Sequence, residues 1–212
     1  ENRPTHIYNA RLSDELFELH RHGFLLVTES TKVRNFYDEG EIKRIYYPET
    51  AELIKRKSGG KRVYVFDHTI RTPVQEKHKE GWVRNPVRYV HNDYTELSAP
   101  QRVKDFFPNE YETLLKKRFA IIQTWRSILP TVETEPLALC DGRTIPKTGF
   151  IRNQRRYKDR TAETYHISYN SSHRWYYFPL MKANEALVFK VYDTDPNVGV
   201  KFTAHTAFED PT

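Results

Sequence analysis

Apolar residues recur at three- and four-residue intervals over the first sixty positions, and thereafter in short runs and alternations cut by turn residues. Leu12, Leu16 and Leu19 predict a short helix over residues 9–23, with Ser13 as its cap and Asp14 and Glu15 in its first turn. His20 and His22 then fall at its surface end. Residues 24–27 read as a buried strand. Residues 35–57 predict a helix in two pieces, broken at Pro48 and stopped by Ser58-Gly59-Gly60. From there the pattern is that of strands: 61–71, a strand ending at His91, 119–129, 137–141, 164–169, 174–178, 186–192 and 200–208. One further helix opens at Ser98, with Ser98 as cap and Pro100 near its start. The charged stretch between Arg71 and the His91 strand carries Pro73, Gly81 and Pro86, and suits a pocket lid or a mobile connection. Residues 142–160 read as polar and looped, with a brief strand at Phe150 and Ile151.

Helices first and many short strands after them predict a mainly β fold with flanking helices, an antiparallel barrel or sandwich. The chain of 212 residues suits one domain, helical over about 1–60 and a barrel over about 61–212. Aromatic residues make up 14% of it, so the interior is expected to be rich in rings. The net charge of +6 admits acidic small molecules or nucleic acid as partners, but acidic residues are interspersed throughout and no basic tail stands out. A single cysteine, Cys140, excludes an internal disulfide framework and fits a reducing, cytoplasmic setting. No apolar run approaches transmembrane length, so neither membrane nor nucleic acid is an expected partner.

One stretch carries chemistry. Val87-Arg88-Tyr89-Val90-His91-Asn92-Asp93 is a β-branched and aromatic run ending in a histidine and an aspartate two residues apart. On a strand such residues share a face, so His91 and Asp93 reach one space. They form two-thirds of the two-His-one-carboxylate set that holds a non-haem ferrous ion. With 9 histidines in the chain the pair also arises by chance, and a hydrogen-bonded strand end is the plainer reading. His78-Lys79-Glu80 has the same form but lies in a charged, loop-like segment. For a third ligand the chain offers Asp141, His166, His173 and His205. The order of strands favours His205 over its main competitor His173, because a jelly-roll barrel brings two distant strands together at one mouth.

Several segments together resemble one family: residues 65–71 (VFDHTIR), 90–95 (VHNDYT), Trp125-Arg126, 136–141 (PLALCD), 173–177 (HRWYY), 187–190 (LVFK) and 204–208 (AHTAF). In order and spacing they resemble the AsaB-like hydroxylase/desaturase family, which groups secondary-metabolite oxidases with relatives of gibberellin desaturase and of the cephalosporin methoxylase partner chain. The resemblance implies a double-stranded β-helix and a ferrous iron and 2-oxoglutarate-dependent oxygenase, with O2 as the other co-substrate. Carried over position by position, it makes His91, Asp93 and His205 the metal ligands. Two departures stand out: Ser127 occupies a place where the family commonly has proline, and the family continues beyond the last histidine into a strand bearing arginines, so either that strand lies beyond Thr212 or another cation takes its place.

On that reading Arg126 and Gln123 are candidates for holding 2-oxoglutarate, since a guanidinium suits a carboxylate. They lie three apart, so both cannot face inward on a regular strand. Trp175 and Tyr177 share a face and are candidates for lining a substrate pocket, with Arg71 and His173 as further substrate contacts; strand aromatics are also ordinary core residues. Asp67 and His68 are candidates for orienting a ligand. The expected substrate is a small, amino-acid-derived or other natural product, oxidised at an unactivated C–H bond. A homodimer is left open. Competing classes are a non-catalytic partner chain of the same fold, a nucleic-acid binder with ring-lined strands, and a zinc hydrolase.

Overall fold

The computed structural model describes residues 3–74, 77, 82–156 and 161–210. Two sheets carry the architecture, their strands numbered in chain order. The larger holds seven, in the spatial order β1 (Ile7–Asn9), β10 (Trp175–Tyr177), β7 (Leu137–Cys140), β12 (His205–Ala207), β5 (His91–Asn92), β9 (Thr161–Ile167) and β8 (Phe150–Arg156). The smaller is β2 (Phe24–Thr28), β11 (Glu185–Asp193) and β6 (Ala120–Trp125), all antiparallel neighbours. A two-residue parallel pair, β3 (Ile70–Arg71) and β4 (Val83–Arg84), stands apart.

The two sheets face each other across one apolar cluster. Leu137, Leu139 and Tyr176 of the larger sheet meet Phe24, Leu187 and Phe189 of the smaller in it. The alternate residues serve the outer faces. Ala138, Cys140 and Trp175 pack with Ala204 behind the larger sheet, and Ala186 and Val188 pack against Leu53 behind the smaller. Strands β7 and β11 are thus covered on both sides, which is why they read as continuous apolar runs. The pairing of β11 with β6 shifts register between Lys190 and Tyr192. There the buried Lys190 ammonium donates to Asp193 Oδ2 at 3.0 Å and to the Val200 carbonyl at 3.1 Å, while Arg118 grips the same carboxylate with two nitrogens.

Behind the smaller sheet runs a helical stretch of three parts: α1 (Glu39–Glu41), a π-turn (Ile42–Tyr46) and α2 (Tyr47–Ser58). Pro48 lies in the first turn of α2, so the proline does not break the helix as expected. The widened turn just before it accommodates its missing N–H and its ring. Gly59 ends the helix with φ +70°. The helix expected over residues 9–23 does not form. Only Ala10–Leu12 is helical, a single turn follows at 19–22, and Leu12 and Leu16 are exposed. Ser13 Oγ instead accepts the Glu15 amide, and His22 Nδ1 accepts that of Glu18, so side chains take the donors a helix would use. His22, expected at the surface, is fully buried.

The strand expected over 61–71 reduces to Ile70–Arg71, and that over 200–208 to His205–Ala207. The α3 helix (Ser98–Phe106) has no cap from Ser98; the Thr95 hydroxyl accepts the amides of Leu97 and Ser98. The hairpin of β8 and β9 is longer than the brief strand expected there, and α4 (Tyr111–Leu115) follows α3. Strands β1 and β2 bring the first sixty residues into both sheets. The segment containing His78-Lys79-Glu80 lies outside the described residues.

Candidate metal centre

Strands β5 and β12 pair antiparallel with His205 directly opposite His91. Opposed residues share a face, so both imidazoles enter the space between the sheets, with ring centroids 4.4 Å apart. Each ring is fixed the same way. His91 Nδ1 lies 2.9 Å from the Tyr89 carbonyl and His205 Nδ1 3.2 Å from that of Thr203. A carbonyl only accepts, so Nδ1 carries the proton in both rings and each Nε2 points inward.

Asp93 completes the group. Its Oδ2 is 3.2 Å from His205 Nε2 and its Oδ1 is 3.6 Å from His91 Nε2. One ligand atom from each of the three residues lies within 4.8 Å of the others. Neighbouring ligands on an octahedral ion with bonds of about 2.1 Å stand about 3 Å apart, so a small contraction closes the set on a cation. Two imidazoles and one carboxylate on one side fit a divalent iron with its remaining positions open.

The surroundings favour the protonation states such an ion needs. Burial first, and then the neighbouring His205, push the His91 imidazole down to about 4, against the pull of Asp93 and of the Tyr89 carbonyl. Its Nε2 is therefore a lone pair at neutral pH. Burial alone would raise the Asp93 carboxyl. Against it stand the hydrogen bond and charge of a protonated His205, the charge of a protonated His91 and the Gln123 amide, which together hold the carboxyl well below the usual carboxylate range. Gln123 reaches across from β6, its Nε2 donating to Asp93 Oδ2 at 2.5 Å. Between the ligands, Asn92 is fully buried and donates to the carbonyls of Tyr94 and of Val191 on β11. One asparagine thereby ties the ligand loop of one sheet to the central strand of the other. Phe189, opposite Gln123 on β11, packs its ring 4.9 Å from His205 and closes the back of the site.

The other sequence-derived candidates divide. Gln123 stands at the site. Arg71 belongs to its surroundings: its charge acts on both His91 and Asp93, and its Nη1 donates to the Asn85 carbonyl. Arg126 does not face the site. It follows Trp125 on the far side of β6, donates to the Tyr46 hydroxyl and the Ala183 carbonyl, and lies over the Tyr46 ring. Trp175 and Tyr177 are on the wrong face for a pocket: Trp175 packs in the outer cluster with Cys140, and Tyr177 packs on Phe208. The residue between them, Tyr176, is the one that faces inward. His173 sits in the turn before β10, beside Trp175. His68 meets the Tyr47 hydroxyl and Asp67 accepts the His68 amide, so neither orients a metal ligand. Ser127, at the proline position, closes its turn by hydrogen bonds in both directions with the Leu129 backbone.

A second group, Glu15, His22 and Asp141, also brings its ligand atoms together. Here His22 Nδ1 accepts the Glu18 amide, so Nε2 is the donor to Glu15, and Arg143 already bridges Glu15 and Asp141. That donor set is spent on a protein cation and does not fit a metal.

A family model described as an oxidoreductase/YMDC permease-like domain matches residues 1–212. The alpha-ketoglutarate-dependent dioxygenase phiK of Fungal sp. is 30% identical over 201 residues, covering 91% of this chain and 72% of that protein. The hydroxylase/desaturase efuI of Hormonema carpetanum is 30% identical over 231 residues, covering 98% of this chain and 77% of that one. The chain belongs to the hydroxylase/desaturase family. Among solved structures, the iron and alpha-ketoglutarate-dependent endoperoxidase NvfI is similar with a TM-score of 0.89 at 26% identity, over 97% of this chain and 77% of that one. Among the described residues no helix is long and apolar enough to cross a membrane.

Three neighbours of the site in this hydroxylase/desaturase chain were given no role from the sequence: Asn92 and Phe189, which lie inside the segments 90–95 and 187–190, and Tyr89, whose ring is 5.2 Å from that of His91. Asn92 sits inside the ligand pair itself, and a polar residue between two ligands on a short strand is the one signal that marks it.

Proposed function

We propose that this chain is an oxygenase using ferrous iron, 2-oxoglutarate and O2 to oxidise a C–H bond of a small natural product, on a double-stranded β-helix. The observation that carries the reading is the convergence of His91 Nε2, His205 Nε2 and an Asp93 carboxylate oxygen, with both Nδ1 protons committed to backbone carbonyls. His91, Asp93 and His205 are the ligands in this reading. When bound, ferrous iron supplies the activation of O2 coupled to decarboxylation of 2-oxoglutarate.

The chain's own residues supply position and dryness. Gln123 holds the Asp93 carboxylate in one orientation, in which it would meet an ion together with the two imidazoles. Phe189 and the apolar cluster behind it exclude water from the buried side. Arg71 provides positive charge beside the centre and is the residue we assign to a carboxylate, whether of 2-oxoglutarate or of the substrate. Family membership supports the reaction class, and the relatives' printed activities support a product of secondary metabolism. Hydroxylation, desaturation and ring formation all begin from the same hydrogen removal, and substrate placement chooses among them.

The test is succinate formation from 2-oxoglutarate under air, without added substrate, measured by mass spectrometry. Slow, iron-dependent succinate release by the wild type and none by Asp93→Ala supports the proposal. Equal, iron-independent traces from both proteins overturn it.

A further inference from the structure

Among the described residues, three histidines carry a buried Nε2 with no hydrogen-bond partner: His68, His166 and His173. A buried nitrogen left unpaired loses its hydration with nothing in return, so each needs a reason. His173 lies in the turn before β10 and His68 pairs with Tyr47, both away from the ligand strands. His166 alone is on a strand paired with one of them. It stands on β9 directly opposite His91, so the two rings project from the same face of the sheet. The Tyr89 ring contacts both, at 5.2 Å from His91 and 5.3 Å from His166.

The row of opposed residues has a direction. It runs Tyr176, Leu139, His205, His91, His166, Ile151 across five strand pairings. Tyr176 through His91 are buried, His166 is half-buried, and Ile151 is 53% exposed. His205 and His91 therefore sit on the buried side of a slope that opens to solvent past His166, and Tyr89 on its flank is also exposed. His166 stands between the ligand strand β5 and the exposed Ile151, with the Tyr89 ring and Ile151 beside it as apolar surface and Thr164 and Asn153 next along the same face.

We infer that His166 is a substrate-positioning residue, its Nε2 hydrogen-bonding an oxygen of an apolar, ring-bearing substrate (a hydroxyl or carbonyl) that lies across Tyr89 and Ile151 with the carbon to be oxidised toward the metal. The inference rests on the metal reading above and names the chemistry its substrate presents. Neutral imidazole donates from one nitrogen and accepts at the other, so a single oxygen function satisfies His166 without a change in charge.

The experiment uses protein labelled with 15N at histidine, loaded with Zn(II) as a diamagnetic occupant of the centre, and read by ring-nitrogen NMR. His166 is assigned by the signal lost in His166→Phe, and His166→Gln serves as the conservative variant that keeps a hydrogen-bonding group near Nε2. Zn(II) should shift the His91 and His205 Nε2 signals; if it does not, the metal reading itself fails. With that shift present, cyclohexanol is titrated as a model ring alcohol. The expected result is a saturable movement of the His166 Nε2 signal in the wild type; cyclohexanol affinity, followed in the variants by the His91 and His205 signals, should be weakened about tenfold in His166→Phe and largely restored in His166→Gln. An unmoved His166 signal, or equal binding to wild type and His166→Phe, overturns the inference alone. So does movement with 2-oxoglutarate but not with cyclohexanol, which would assign His166 to the co-substrate.

Discussion

Two backbone carbonyls, those of Tyr89 and Thr203, decide what His91 and His205 can do, because each takes the Nδ1 proton and leaves Nε2 free for a ligand bond. Gln123 does the same for Asp93 from across the sheets. Gln123→Leu is therefore predicted to weaken Zn(II) or Fe(II) binding by roughly 10- to 100-fold, measured by chelator competition, with little change in the thermal midpoint. His91→Ala and Asp93→Ala should lose stoichiometric binding altogether. At this scale the sequence was informative where a residue type is chemically costly. The His-x-Asp pair could be singled out because polar groups ending an apolar strand need a reason, whereas Gln123, expected at 2-oxoglutarate, donates to Asp93 instead. Trp175 and Tyr177 misled because all three residues of β10 are large aromatics. With no alternation to read, nothing in Trp175-Tyr176-Tyr177 says which ring faces in, and the register against Leu139 chooses Tyr176.

The elements are held by polar networks as much as by apolar contact. The Lys190–Asp193–Arg118 group sits at the register shift of β11, and Asp193 is fully buried. Asp193→Asn leaves the Lys190 charge buried with a weaker partner, so urea unfolding should show a loss of about 3–5 kcal/mol. The N-terminal segment is fastened by Glu15. The His22 hydrogen bond first, and then Arg143, hold its carboxyl down to about 2. A carboxyl depressed in the folded state stabilises fully above its unfolded pKa of about 4.3, and this is lost as pH falls through the folded value. Between pH 5 and pH 3 the wild type should lose on the order of 1–2 kcal/mol more than Glu15→Gln, followed by denaturant midpoints, the figure discounted for a side chain that stays partly exposed. The same network explains the missing helix at residues 9–23. Leucine spacing argued for it, but Ser13, Glu18 and His22 spend their hydrogen bonds elsewhere, a tertiary choice invisible to periodicity.

For the whole molecule, the long runs 186–192 and 137–141 were legible because strands covered on both faces are apolar throughout. Of the short strands, β3, β5 and β12 were legible in place but not in length, falling inside longer expected runs, while β1 and β4 were not expected, having too few residues for any alternation to register. Yet β5 and β12 are the two that carry ligands. Their pairing brings together residues 114 positions apart in the chain, His91 and His205, and no local pattern specifies such a contact. What closes it is burial of the cluster shared by both sheets and the Asn92 bridge to Val191. The account therefore stands on one shared centre, and anaerobic titration of Fe(II) into protein with saturating 2-oxoglutarate tests it most directly. A weak charge-transfer band in the visible that saturates at one iron per chain, and is absent in His205→Ala, is the predicted result. A folded wild type that develops no band, or a band that survives unchanged in His205→Ala, would contradict it.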